Sequence, residues 1–249
     1  MRLVLRLKSL NTASQQLTLS KYFSAMHGWI YKKLENSDFN SIYESKSYKP
    51  FCFSNLYPVK NQKIIENNNY NIIISTPIPK LIETLFFNTA MDEKVNLGEL
   101  SFKLEKMEVM TNIKITPFSI IETPTFINIT VKKNNKATAL DFNQNKNLFL
   151  EQLSKNLINK YNFFTKSNIS TNINLFSQNV LVEPILKNKY ALPLVTHDQQ
   201  KFLAIGHKLR FKLGNISDTQ QKVFNYCFDL GFGEKNTYGL GFMIRRFKK

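Results

Sequence analysis

Cysteine is nearly absent from this chain. The two that occur, Cys52 and Cys227, stand far apart in apolar runs, so neither a disulfide framework nor a zinc site has support, and each reads as a core residue. Acidic residues are scarce as well: 18 Asp and Glu face 34 Lys and Arg, a formal net charge of +16. The 18 are scattered, none in a compact motif of the kind two-metal nuclease chemistry uses, so no metal or cofactor is expected and activity should survive EDTA. No run of about 18 apolar residues offers a membrane span. Arg2, Arg6 and Lys8 interrupt the first apolar stretch, where a signal peptide needs an unbroken one. The chain is therefore expected to be cytoplasmic, without membrane contact. Its surplus positive charge is the footprint of a polyanion partner, with nucleic acid first.

Glycine is also rare, eight in 249 residues, yet four of the eight fall in Gly231-Phe-Gly-Glu-Lys-Asn-Thr-Tyr-Gly-Leu-Gly241. Such a backbone admits positive φ, lets a partner approach closely, and can turn successive N–H groups toward an anion. Neither nucleotide-binding signature fits. A Walker A loop needs Gly-Lys-Ser/Thr, and a dinucleotide fingerprint runs from strand to helix, whereas here a helical run precedes the glycines and a strand-like run follows. A helix cap at Gly231 and a tight turn would account for one or two glycines, leaving the others and Lys235 unexplained. The basic tail beyond, Arg245, Arg246, Lys248 and Lys249, suits phosphate.

Hydrophobic periodicity predicts an α+β chain. Arg2 to Lys8 alternates as a strand, and Leu19 to Leu34 carries Phe23, Met26, Ile30 and Leu34 at helical steps. Strands are expected at 51–56 and 70–75, a helix at 78–88, and a long strand or hairpin arm at 100–115. This is the β-α-β-β-α-β order of a ferredoxin-like unit. An extended copy follows, with strands near 125–132, 138–142, 180–186 and 201–213, helices at 147–164 and 218–230, and a last strand at 240–247. Ser217 is the expected cap of the 218–230 helix. The reading is thus two tandem ferredoxin-like domains, 1–116 and 117–249, the second ending in the glycine-rich loop.

The run Gly-Phe-Gly-Glu-Lys-Asn-x-x-Gly-x-Gly resembles the glycine-rich loop of the CRISPR-associated endoribonucleases that cut precursor guide RNA within its repeats, members of the RAMP superfamily. The opening strand, Gly28-Trp-Ile-Tyr31 and Lys49-Pro-Phe-Cys-Phe-Ser54 extend the likeness over the full length. The resemblance implies a catalytic tyrosine at Tyr31 and a catalytic lysine at Lys49. It also implies a histidine about six residues before that lysine, where this sequence has Tyr43 instead.

In metal-independent cleavage the 2′-hydroxyl of RNA attacks the adjacent phosphate, which needs a base, an acid and a cation near the scissile bond. Of the three histidines, His27 lies one helical turn before Tyr31, with Cβ atoms expected about 5–6 Å apart. His27 is accordingly the candidate for the acid/base role, with Lys46 as a possible assistant. A histidine on the margin of an apolar stripe is more often a half-buried structural residue, so the role rests on the resemblance. His197, beside Asp198, has no nucleophile with a recognisable setting. His207 is a candidate RNA contact.

The expected activity is metal-independent endonucleolytic cutting of CRISPR repeat RNA by a monomer or homodimer, with other CRISPR effector subunits as further candidate partners. Gly231, Gly233, Lys235, Gly239, Gly241, Arg245 and Arg246 would hold the repeat. Arg2, Arg6, Lys208, Arg210 and Lys212 would extend a phosphate track, about half of it merely solvated. The alternatives are a non-catalytic RNA-binding RAMP subunit and a general RNA-binding protein.

Overall fold

The computed structural model describes residues 1–11, 19–42, 47–59, 64–111, 113–195 and 201–247. Leu3, Leu5 and Leu7 of β1 (Arg2–Ser9) are fully buried, as their alternation requires. β1 lies at the centre of a five-stranded antiparallel sheet of order β2-β3-β1-β5-β4, formed with β2 (Cys52–Phe53), β3 (Asn69–Ser75), β4 (Lys94–Leu97) and β5 (Leu100–Met110). Helices α1 (Leu19–Leu34) and α2 (Pro79–Ala90) contribute Phe23, Met26, Ile30, Leu81 and Leu85 to its core. The long strand expected at 100–115 is one arm of a hairpin. β4 turns into β5 through Gly98, whose φ of +65° tight turns favour.

The second half is built on a four-stranded antiparallel sheet of order β13-β6-β12-β9. In chain order its elements are β6 (Ile120–Glu122), β7 (Thr130–Lys133), β8 (Lys136–Ala139), α3 (Lys146–Thr165), β9 (Val180–Pro184), β10 (Tyr190–Val195), β11 (Lys201–Gly206), β12 (Leu209–Leu213), α4 (Asp218–Leu230) and β13 (Ile244–Arg246). β7 with β8 and β10 with β11 form two separate hairpins. The strand expected at 125–132 is displaced: Ile120 and Ile121 enter the sheet. The buried Phe126–Ile129 segment instead forms single bridges, Ile127 to His207 and Asn128 to Glu234. β10 escaped sequence reading because Pro193 sits inside it; proline is tolerated here because β10 pairs on one side only, with β11. Ser217 caps α4 as expected. Its Oγ accepts from Gln220 N while the Gln220 side chain accepts from Ser217 N, at 3.2 and 2.8 Å.

The two halves meet through charge and apolar surface. Arg2 is only 2% exposed; its Nε donates to Asp229 Oδ1 at 2.9 Å, and its guanidinium faces the rings of Phe228 and Phe242 at 4.4 and 5.0 Å. The Met1 amine reaches Asp229 Oδ2 at 3.0 Å. Arg2 is therefore a buried structural cation, and its assignment to a phosphate track is corrected. Leu192, Leu194, Ala204 and Leu240 join the core of the first sheet. Cys52 and Cys227 are buried thiols, and burial pushes both up to about 12. Among the described residues no helix is long and apolar enough to cross a membrane.

Candidate active site

The helical spacing of His27 and Tyr31 brings their rings together edge to face, with centroids 4.7 Å apart. Tyr31 is 8% exposed and also meets Phe51 edge-on at 5.6 Å. The other face of this cluster comes from the far end of the chain. Tyr238, in the short 3-10 turn Asn236–Tyr238, stacks on His27 with centroids 4.4 Å apart and planes 9° apart. Tyr238 further contacts Phe202, and Lys235 Nζ lies 4.7 Å from the Phe202 ring centre. The glycine-rich loop and the first helix, singled out separately in the sequence, thus form one site.

Glycine makes this docking sterically possible. Gly239 has φ +74°, and a Cβ there would lie 2.6 Å from Phe23 Cε1 and 2.8 Å from Phe53 Cε2. Gly241 has φ +67°, with Phe232 O only 1.8 Å from an added Cβ. The close approach read from the sequence is therefore made by the protein itself. The anion-nest reading needs the same correction. The N–H groups of Phe232, Glu234, Tyr238, Gly239 and Gly241 donate to Gly241, Asn128, Lys235, Asn236 and Phe126 carbonyls respectively, at 2.9–3.0 Å. These glycines shape the scaffold that presents Lys235 and Tyr238.

Lys160, on α3, holds this loop from inside and was missed in the sequence. Its ammonium is buried and donates to Gly231 O, to Gly233 O and to Asn236 Oδ1, the first and last at 3.0 and 2.6 Å. Asn236 in turn donates to Leu240 O at 2.8 Å. Burial pushes Lys160 down to about 8. Its signal was its register: Leu153, Leu157 and Lys160 share one apolar helical face, where a lysine needs a polar partner. Glu234 pins the opposite side, accepting from Thr130 N and Oγ1 at 3.1 and 3.2 Å.

Lys49 lines a cleft of about 320 Å³ together with Ser47, Tyr48, Lys160, Glu234, Lys235 and Tyr238. Its Nζ donates to Ile42 O, and burial lowers its affinity for the proton. Since Tyr238 both lines this cleft and covers His27, its ring joins the expected lysine to the expected histidine. The cations Lys49 and Lys235 therefore border an opening next to a histidine held between two tyrosines. Such an arrangement can move protons beside a bound phosphate. Among the described residues no three His, Cys, Asp or Glu side chains gather as they would around a metal ion.

The remaining sequence candidates divide. His207 is fully buried, with Nε2 3.1 Å from Asp141 Oδ1; burial lowers its pKa against the pull of that carboxylate. It is a structural residue, and the expectation of RNA contact is corrected. Arg6 pairs with Glu108 at 2.8 Å, and Lys212 with Glu183 at 2.9 Å. Arg210 and Arg246 share Glu122 at 2.5 and 2.6 Å. Arg245 donates to Lys114 O at 2.7 Å and lies over Phe247. Much of the expected phosphate track is thus already paired with protein acids. Tyr43, Lys46, His197, Asp198, Lys248 and Lys249 lie outside the described residues.

Known proteins resemble this chain along its length. The family model "CRISPR associated protein Cas6, C-terminal" matches residues 104–244. A Methanocaldococcus jannaschii protein named CRISPR-associated endoribonuclease Cas6 2 is 23% identical over 244 residues, covering 96% of this chain and 98% of its own. A solved structure titled "CRISPR associated protein Cas6" superposes with a TM-score of 0.72 at 20% identity, over 99% of both chains. Another, titled "An RAMP protein binding different RNA substrates", gives 0.71 at 16% identity, over 99% of this chain and 100% of that one. The two structures share the mixed α+β fold of antiparallel sheets and few helices. With the family model spanning more than half of its length, the chain belongs to the Cas6 family.

Proposed function

We propose that this chain is a metal-independent endoribonuclease that cuts CRISPR precursor RNA within its repeats. The observation that carries the reading is the His27 ring, held between Tyr31 and Tyr238 beside the cleft that Lys49 lines. Family membership and the full-length likeness to a protein named as an endoribonuclease support it. His27 and Tyr31 handle the protons as the 2′-hydroxyl attacks and the 5′-oxygen leaves. Lys49 stabilises charge on the phosphorane. Lys235, Arg245 and Arg246, on and beyond the loop that Gly231, Gly233, Gly239 and Gly241 shape, hold the repeat backbone, Arg246 from a side chain that stays 61% exposed beside its Glu122 partner. The protein works in the cytoplasm on repeat RNA, as a monomer or homodimer alongside other effector subunits.

We read residues 1–116 and 117–249 as two ferredoxin-like domains. Supporting this are the orders β2-β3-β1-β5 and β9-β12-β6-β13, which follow one pattern once the added hairpins are set aside. The test of the function is a repeat RNA carrying a single 2′-deoxy nucleotide at the cut site. Cleavage of the all-ribose repeat, with a cyclic-phosphate-type 3′ end and none from the deoxy version, is the expected result. Equal cleavage of both would sink attack by the 2′-hydroxyl.

The second reading is a binding-only RAMP subunit. It is favoured by the similar structure titled as an RAMP protein binding different RNA substrates and by Tyr43 standing where the resemblance expects a histidine. Recovery of the bound repeat intact would establish it.

A further inference from the structure

Two exposed aromatic rings continue the cleft wall beyond the residues just described. Asn156, Lys160 and Phe163 are spaced by four and three along α3, so they share one face, and the first two line the cleft. Phe163 is 39% exposed and meets Tyr48, itself 37% exposed, with centroids 5.7 Å apart and planes at 67°. Tyr48 also lines the cleft, immediately before Lys49. Lys166, the left-handed cap of α3, places Nζ 5.2 Å from the Phe163 ring centre. Phe164 backs this arrangement, touching Phe163 at 5.0 Å and Tyr226 at 6.4 Å.

Single-stranded RNA is recognised by stacking unpaired bases on aromatic rings while nearby cations take the phosphates. We infer that Tyr48 and Phe163 form a stacking platform for one unpaired nucleobase of the RNA whose backbone crosses the cleft, with Lys166 meeting its phosphate. The inference rests on the RNA-processing reading and adds to it a subsite that grips a base. Two features favour a nucleobase. The platform is continuous with the cation-bordered cleft through Tyr48, and a cation stands beside an exposed ring, as a nucleotide with an aromatic base and an anionic phosphate requires. Because the two rings meet edge to face, the base stacks on an open ring face rather than between them.

Direct binding measurements with repeat RNA, intact or carrying an abasic site at each unpaired position in turn, test this. Phe163→Ala and Tyr48→Ala are expected to weaken binding about tenfold. Phe163→Leu keeps the apolar bulk but loses the aromatic face, and should weaken it nearly as much. One abasic position should cost the unmodified protein a similar factor and cost Phe163→Ala nothing more. If affinity is unchanged in all three variants while the unmodified protein still cleaves, the platform is overturned and its rings are left to a protein partner. Additive losses at every abasic position overturn it equally. An unmodified protein that binds no repeat RNA overturns the parent reading, and the platform with it.

Discussion

Tyr238 lies flat on His27, ring centroids 4.4 Å apart and planes 9° apart, although 211 positions separate them in sequence (238 − 27). A loop at the end of the chain therefore fixes the orientation of an imidazole on the first helix. Tyr238→Leu should release that ring and lower the single-turnover cleavage rate by about 10- to 100-fold. Repeat-RNA affinity should stay within about twofold, since Tyr238 positions and does not grip. Tyr238→Phe should cleave nearly as the unmodified protein does. An equal loss in affinity and rate would assign Tyr238 to binding instead.

Gly239→Ala tests the docking of the loop. The new Cβ would meet Phe23 and Phe53 at a backbone φ that disfavours side chains. A loss of about 2 kcal/mol is expected. By thermal melting this corresponds to a midpoint lower by about 4–8 °C for a chain of this size. An unchanged midpoint would show that the loop does not need to sit against α1.

Lys160 gives a signed pH dependence. Burial holds its folded pKa at about 8 against an ordinary lysine value of 10.5, so between these values the unfolded chain binds more protons and stability rises with pH. The contribution is complete above 10.5 and is lost as pH falls through 8. Cys52 and Cys227 act oppositely. Burial raises both thiols from 9.0 to about 12, so their contribution falls from pH 9 upward. Urea midpoints should therefore rise between about pH 7.5 and 9. Lys160→Met should abolish that rise and cost about 3 kcal/mol at pH 7, because Gly231 O, Gly233 O and Asn236 Oδ1 lose their donor. A flat profile in the unmodified protein would refute the lowered proton affinity of the buried Lys160.

Asp229 joins the halves by accepting from both Arg2 and the Met1 amine. Asp229→Asn leaves a buried guanidinium without its anion and should destabilise the protein by about 3–5 kcal/mol. Denaturant unfolding measures it. A loss below about 1 kcal/mol would mean that the Phe228 and Phe242 rings suffice to hold the cation.

Local pattern carried α1, α4 and its Ser217 cap into the sequence reading almost residue for residue, because a helix's periodicity and capping are encoded within a few positions. Strand pairing is not local. β6 and β10 are not legible in the sequence, because three residues, or a strand interrupted by Pro193, carry too little alternation to register. The site divides in the same way. His27 and Tyr31 were legible as one helical turn, whereas the stacking of Tyr238 and the clamp of Lys160 arise only when distant segments pack. The conformational freedom of the glycines suggests an anion, yet their neighbours are Phe23, Phe53, Asn128 and Phe232. Arg2 misled for a related reason: a basic residue on a strand end looks solvated until its partner, 227 positions away, comes into view.

The central claim is cleavage of repeat RNA without metal by a site that contains His27. Single-turnover cutting of the repeat in EDTA, comparing the unmodified protein with His27→Ala, tests it most directly. The unmodified protein is expected to cut at one position and the variant to lose about 100-fold or more in rate, at equal RNA affinity. Cutting by the variant at the unmodified rate, or none by the unmodified protein until a divalent metal is added, would contradict it.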